Sequence, residues 1–244
     1  METLPLYIPV VSGATTLLTV AFFYKATHGS KTTLLILIAW LALQMFIART
    51  GFYTHTGGLP PRFAFLLFPP LLFIAGLFIT RRGRNFIDGL DTGILSLLHV
   101  IRIPVEIGLY WLSIHKAVPQ LMTFEGTNLD ILSGITAPLV FYFGFVTRSL
   151  GRKALLVWNF VCLVLLANIV ITAILSAPFY FQQLAFHQPN VAVLYFPFVW
   201  LPCCVVPLVL FSHLASIRQL TGSGYTLLAG SLHRTRTVSP ASPE

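Results

Sequence analysis

Five polar residues in one apolar stretch carry the groups that could do chemistry. In HVIRIPVEIGLYWLSIH, positions 99–115, His99, Arg102, Glu106, Tyr110 and Ser113 follow one another at spacings of three, four, four and three. At roughly 100° per residue they fall within an arc of about 80° on one side of a helix. The other faces carry Ile101, Ile103, Val105, Ile107 and Leu112. An imidazole, a guanidinium and a carboxyl on one stripe could bind a polar ligand or hand on a proton. With Glu106 as acid or base, and Arg102 or His99 holding an anionic group, they could instead act on a lipid or isoprenoid substrate. They could also be a buried ion pair that only fixes helix packing.

Arg102 and Glu106 are four residues apart and are expected to pair, although basic before acidic is the weaker order on a helix. Pro104 between them removes the usual donor to the Val100 carbonyl, a gap that Arg102 could fill. Asp91 and Thr92 extend the polar side toward one end of the helix. At the other end, HKAVPQLMTFEGTNLDILSG brings Glu125, Asn128 and Asp130 to an expected outer mouth of the site. Asp130 opens the next helix, where its carboxylate is expected to cap free amides. Ser133, Gly134 and Ala137 then form a small-residue face suited to close helix contact.

The elements that must hold these residues follow from composition. The chain has 244 residues, of which 56% are hydrophobic and 9% charged, with a mean hydropathy of +0.84. A soluble chain carries roughly 25% charged residues, so a bilayer is the expected solvent and the expected partner. Seven apolar runs approach the roughly 20 residues a spanning helix needs: 4–24, 32–50, 63–80, 92–114, 129–147, 154–177 and 191–214. The expected fold is an all-α integral membrane bundle of seven transmembrane helices over residues 1–220. A Gly/Ser/Thr/Pro-rich stretch, 221–244, is expected to be a disordered cytoplasmic tail. With charged groups near mid-bilayer, the stripe of the fourth run should face the bundle interior, because an ionised side chain in lipid costs at least about 2.5–3.5 kcal/mol.

Loop charge sets the expected orientation. Lys25, Lys31, Arg81, Arg82, Arg84, Arg148, Arg152, Lys153, Arg218, Arg234 and Arg236 fall on one side, against Arg49, Arg62 and Lys116 on the other. That bias puts the N-terminus outside and the C-terminus in the cytoplasm. It also accounts for the net charge of +8 without a nucleic acid partner. Prolines at 69, 70, 104, 138, 197, 202 and 207 are expected to kink helices and could open a cavity between them.

Other chemistries are not supported. Cys162, Cys203 and Cys204 all lie in apolar runs without a C-x-x-C pair, so they read as packing residues. His55, His115 and His187 lie in outer loops without metal-ligand spacing, and neither a metal nor a cofactor is expected. A retinal Schiff base would need a lysine in the last run, which has none, and a zinc hydrolase would need a histidine pair there, where His213 stands alone. Glu2 and the absence of a basic leader suggest that the first run is retained as a helix. Asn159 and Asn168 are expected to bond between helices, and Phe179, Tyr180, Tyr195 and Trp200 to form an interfacial belt.

RIPVEIGLYWLSIHKAVPQLMTFEG together with DILSGITAPLV resembles bacterial multi-pass inner-membrane proteins of unknown function. The resemblance implies a bacterial inner-membrane location and no activity. The residues themselves favour an intramembrane polar pocket on the fourth helix for a small or lipid-like ligand, used in transport, sensing or proton-coupled exchange. A membrane-embedded enzyme and a structural or assembly subunit without a ligand are the alternatives.

Overall fold

In hydrocarbon every backbone amide must find its partner inside the protein, which leaves helices or closed barrels. The computed structural model describes residues 4–58 and 60–222, and among them all regular structure is helical. The helices are α1 (Tyr7–Ala26), α2 (Lys31–Arg49), α3 (Ala64–Ile79), α4 (Arg81–Asp88), α5 (Thr92–Ile114), α6 (Ile131–Val146), α7 (Arg152–Leu175) and α8 (Leu201–Thr221). Five of them, α1, α2, α5, α7 and α8, are long and apolar enough to cross a membrane. The pair α3 and α4 passes the same test together but is bent by 92° at its junction, and α6 is a shorter apolar helix. The chain is therefore a helical protein of membrane-spanning character.

Helix starts follow from their caps. Ser30 accepts the Thr33 amide at 3.3 Å to open α2, and Asp91 accepts the Ile94 amide at 2.9 Å to open α5. Gly51, at φ 72°, turns the chain out of α2. The following turn buries Tyr53, whose hydroxyl donates to Gln44 of α2. Burial, with Cys203 nearby, pushes this phenol up to about 12, so it remains a neutral donor.

The last helix begins ten residues later than its apolar run suggests, at Leu201 rather than Val191. Residues 191–200 contain Pro197, and the run up to it is held as a loop. The amides of Val191 and Ala192 donate to the Ala117 carbonyl at 3.1 and 3.0 Å. Pro202 then falls in the first turn of α8, where its missing amide leaves no helical bond unmade. That turn, Leu201–Val205, is a π-helix. At the other end α8 runs through Thr221, which the sequence assigned to the tail. Residues 223–244 of that tail, with Arg234 and Arg236, lie outside the described residues. Of the expected aromatic belt, Tyr180 is exposed, but Phe179 is buried against Phe63.

α5 and α8 form the centre of the bundle, at least half buried along their apolar lengths, whereas α2 and α7 are buried along only a small part of theirs. One end of the bundle is tied together by polar contacts. Arg218 of α8 grips Asp88 of α4 through two hydrogen bonds of 2.9 and 2.8 Å. Gln219 donates to the carbonyls of Ile87 and Leu90 and accepts from Thr92. The Asp91 amide reaches Ala26 of α1 at 3.0 Å. This basic end carries Lys25, Lys31, Arg81, Arg82 and Arg84.

The bend between α3 and α4 has a specific cause. Thr80 leaves helical geometry at ψ 145°, donates to the Gly76 carbonyl at 2.9 Å and accepts the Gly83 amide at 3.2 Å. Arg84 donates to the last carbonyls of α3, Phe78 at 3.2 Å and Ile79 at 2.6 Å. A Cβ on Gly83 would stand 2.3 Å from the Leu77 carbonyl oxygen, so only glycine fits the corner. Gly83→Ala should lower the melting temperature in detergent, by the equivalent of about 1–3 kcal/mol. Gly108→Ala, where a Cβ meets nothing within 4 Å, should leave the melting temperature unchanged or raise it slightly. Equal melting of the two variants would mean that the corner is not tightly packed.

Candidate functional site

The polar stripe lies on α5, and α5 is not regular through it. A 3₁₀ turn spans His99–Ile101, and α-helix resumes at Arg102, two residues before Pro104. Three residues per turn bring positions i and i+3 into line, so His99 and Arg102 face the same side. His99, Arg102 and Glu106 are 0%, 2% and 1% exposed. The stripe faces inward, as the cost of lipid-facing charge demands.

The partner of Arg102 comes from α6, not from its own helix. Ser133, Gly134 and Ala137 are buried as the small face of α6. A Cβ on Gly134 would lie 2.9 Å from the Ile103 side chain and 3.0 Å from its amide nitrogen. This approach brings Asp130, at the start of α6, to Arg102, with Nη1 2.6 Å from Oδ1. The expected Arg102–Glu106 pair is not formed. The neighbouring helix offers a carboxylate across the interface, while the same-helix pairing has the weaker order. Asp130 accordingly makes no side-chain cap on α6, since its carboxylate is turned to the guanidinium.

Arg102 also reaches two further helices. Nη1 donates to the Cys162 carbonyl of α7 at 3.4 Å, and Nη2 lies 3.0 Å from Nε2 of His213 on α8. A guanidinium can only donate, so His213 Nε2 accepts and its ring proton sits on Nδ1. That nitrogen faces Asn159 Oδ1 at 2.9 Å, and Asn159 Nδ2 donates to the Leu155 carbonyl at 2.9 Å. The His99 ring stacks on His213 with centroids 3.8 Å apart, and Trp158 packs against both at 5.5 and 5.9 Å.

Glu106 sits one turn farther along α5. Its Oε1 accepts from Asn128 Nδ2 at 2.5 Å, and the same amide group donates to the Met122 carbonyl at 3.0 Å. Asn128 Oδ1 accepts the Asp130 amide at 3.1 Å, so one side chain positions both carboxyl residues. Glu106 Oε2, Arg102 Nε and both ring nitrogens of His99 are buried with no hydrogen-bond partner among the described residues. Arg102, Glu106, Asp130 and Asn190 line a cavity of about 70 Å³ whose other walls are apolar, including Ile101, Val105, Leu109 and Val205. That volume has room for a few water-sized groups.

The other stripe residues stay outside this cluster. Tyr110 is partly exposed and packs on Phe124 at 5.0 Å. Ser113 contributes its carbonyl, which accepts from Gln188 at 3.0 Å. Glu125 is exposed and bonds Gln120 at 3.3 Å. Asn159 bonds between helices as expected, to His213 of α8, whereas Asn168 bonds to a loop, donating to the Thr127 carbonyl at 3.0 Å. His213 is the member that the sequence did not reveal. Its only local signal is a run of polar positions, Ser212, His213 and Ser216, on an otherwise apolar helix. Among the described residues no group of three His, Cys, Asp or Glu side chains is placed to hold a metal.

The model of a protein family described as "Domain of unknown function (DUF8737)" matches residues 59–221, more than half of the chain. No curated protein and no solved structure matches it.

Breaking the buried pair from one side strands a charge, which costs about 3–5 kcal/mol. Arg102→Met and Asp130→Asn should therefore each lower the melting temperature in detergent strongly, and the double variant Arg102→Met with Asp130→Leu should recover much of the loss. Glu106→Gln keeps an acceptor for Asn128 and should melt near wild type. A Glu106→Gln chain as unstable as Asp130→Asn would make Glu106 the true counter-charge.

Proposed function

The chain belongs to the DUF8737 family, and for it we propose a multi-pass membrane protein that binds a small ligand or a proton at Glu106. The observation that carries this reading is the cavity of about 70 Å³ that Glu106 shares with Arg102 and Asp130. Glu106 lines that cavity, and its Oε2 is buried without a partner among the described residues. The cluster holds one guanidinium and two carboxyl groups, and a single cation balances only one carboxylate. A proton, or the positive or hydrogen-donating end of a ligand, balances the other. Of transport, sensing and proton-coupled exchange, this count favours exchange, in which the proton and the ligand compete for the same oxygen. The Arg102–Asp130 pair forms the wall of the site, and a fixed guanidinium repels cations from passing farther.

In this reading seven segments cross the bilayer, with α3 and the short α6 completing the five longer helices. The N-terminus is outside and the C-terminus cytoplasmic, in a bacterial inner membrane. The basic residues at the tied end of the bundle support the orientation, since Lys25, Lys31, Arg81, Arg82, Arg84 and Arg218 outnumber Arg49, Arg62 and Lys116 at the other end. Glu106 then lies on the outer side of Arg102. A structural role without a ligand is the second reading, favoured by the small volume of the cavity. A membrane enzyme using Arg102 to hold an anionic group has less support, because Asp130 already occupies that guanidinium.

Rescue of a deletion strain of the source organism separates the first two readings. Glu106→Gln should insert and melt like wild type yet fail to rescue. Full rescue by that variant would remove the case for a site and leave the structural role. Topology is checked by single-cysteine labelling, with Gly57→Cys reacting from outside and Arg81→Cys from the cytoplasm. The reverse pattern, or labelling of both from one side, would contradict the orientation.

A further inference from the structure

A second cavity, of about 420 Å³, opens in the flank of the bundle and shares no lining residue with the Arg102 cluster. Its size falls in the range of ligand sites, roughly 300–1,000 Å³. α2 and α3 wall it and barely touch each other, α8 forms its floor, and Phe86 of α4 closes one end. Pro69 and Pro70, inside α3, line the cavity, and the π-turn at the start of α8 offers the Cys203 carbonyl to Trp40 Nε1 of α2 at 2.9 Å. Exposure grades from mouth to floor: Ile36 and Phe73 are 52% and 59% exposed, Cys203 and Phe211 1% and 2%. The cavity thus opens sideways, where a spanning bundle meets lipid tails.

We infer that this cavity takes one acyl chain of an anionic glycerophospholipid from the adjacent leaflet, with its phosphate held by Arg82. The walls are almost wholly apolar, so only a hydrocarbon chain satisfies them. A void there would forfeit dispersion contacts on every side. The headgroup assignment rests on α4. This helix leaves α3 at 92°, which lays it along the membrane surface when α3 spans. Arg82 precedes Phe86 by four residues, so the two share one face of α4. Arg82 is exposed and forms no ion pair or hydrogen bond among the described residues, whereas Arg84 is engaged by the Phe78 and Ile79 carbonyls. Asp88, the carboxylate of the same helix, is neutralised by Arg218. Lys31, exposed at the start of α2, stands two residues before Thr33 in the cavity wall. A basic mouth over an apolar slot favours an anionic lipid over a zwitterionic one, whose ammonium would meet like charge there.

The test uses the full chain reconstituted into vesicles of phosphatidylglycerol and phosphatidylcholine in equal parts, re-extracted in mild detergent and weighed by native mass spectrometry. Wild type should retain one phosphatidylglycerol per chain in excess over phosphatidylcholine. Arg82→Gln should lower that preference about fivefold, the usual effect of one basic residue at an anionic surface, without lowering the amount of lipid retained. Ile36→Trp, at the exposed mouth, should lower the amount itself. Both positions are exposed, so both variants should melt as wild type. Equal retention of the two lipids by wild type, loss of all lipid on extraction, an unchanged preference in Arg82→Gln, or undiminished lipid in Ile36→Trp would each overturn the assignment.

Discussion

A guanidinium inside a bilayer must bring its counter-charge with it, and the 2.6 Å contact between Arg102 and Asp130 shapes much of the surrounding fold. Asp130 has to reach Arg102, which lies a dozen residues before the end of α5, so α6 starts inside the bundle with Asp130 buried. That accounts for its length of 16 residues, about 24 Å of helix where a bilayer core is roughly 30 Å thick. The connection from α5 must dip into the bundle to deliver Asp130. Met122, Thr123 and Asn128 in that connection are accordingly buried, which is unusual for a loop. Its polar groups find partners there, the Met122 carbonyl in Asn128 and the Thr123 hydroxyl in the Gln120 carbonyl.

Around that pair the remaining polar groups are arranged by what each can donate or accept. Arg102 has only donors, so it fixes the tautomer of His213, and His213 in turn fixes the orientation of Asn159. Asn128 has both kinds of group and uses them to hold Glu106 with one and the Asp130 amide with the other. The result is a chain of bonds that joins α5, α6, α7 and α8 through side chains. Glu106 is the loose end of that chain, with one oxygen committed and one buried without a partner.

Much of this was legible in the sequence as periodicity. A helix repeats every 3.6 residues, so the inward side of α5 and the small face of α6 could be read without coordinates. The partner of Arg102 could not. Spacing ranks contacts within one helix, and Glu106 is the nearest carboxylate by that measure. The close approach at Gly134 depends on how two helices cross, and no local pattern records it. His213 lies 111 residues from Arg102, and a single histidine in an apolar run looks like a packing residue. Hydropathy does not mark the start of α8, because it continues through residues 191–200, while Pro197 and the bonds to Ala117 keep that stretch out of the helix.

The grip of Arg218 and Gln219 on the α4–α5 corner gives α8 a fulcrum. His213 lies five residues from Arg218 and Cys203 fifteen, about 7.5 and 22 Å along the helix. Any tilt of α8 about that corner therefore displaces its far end, in the wall of the apolar slot, roughly three times as far as the imidazole beside Arg102. A tilting α8 would work as an unequal lever. A wide excursion at the floor of the slot would become a small one at the hydrogen bond from Arg102, where a shift of a few tenths of an ångström is enough to change its strength.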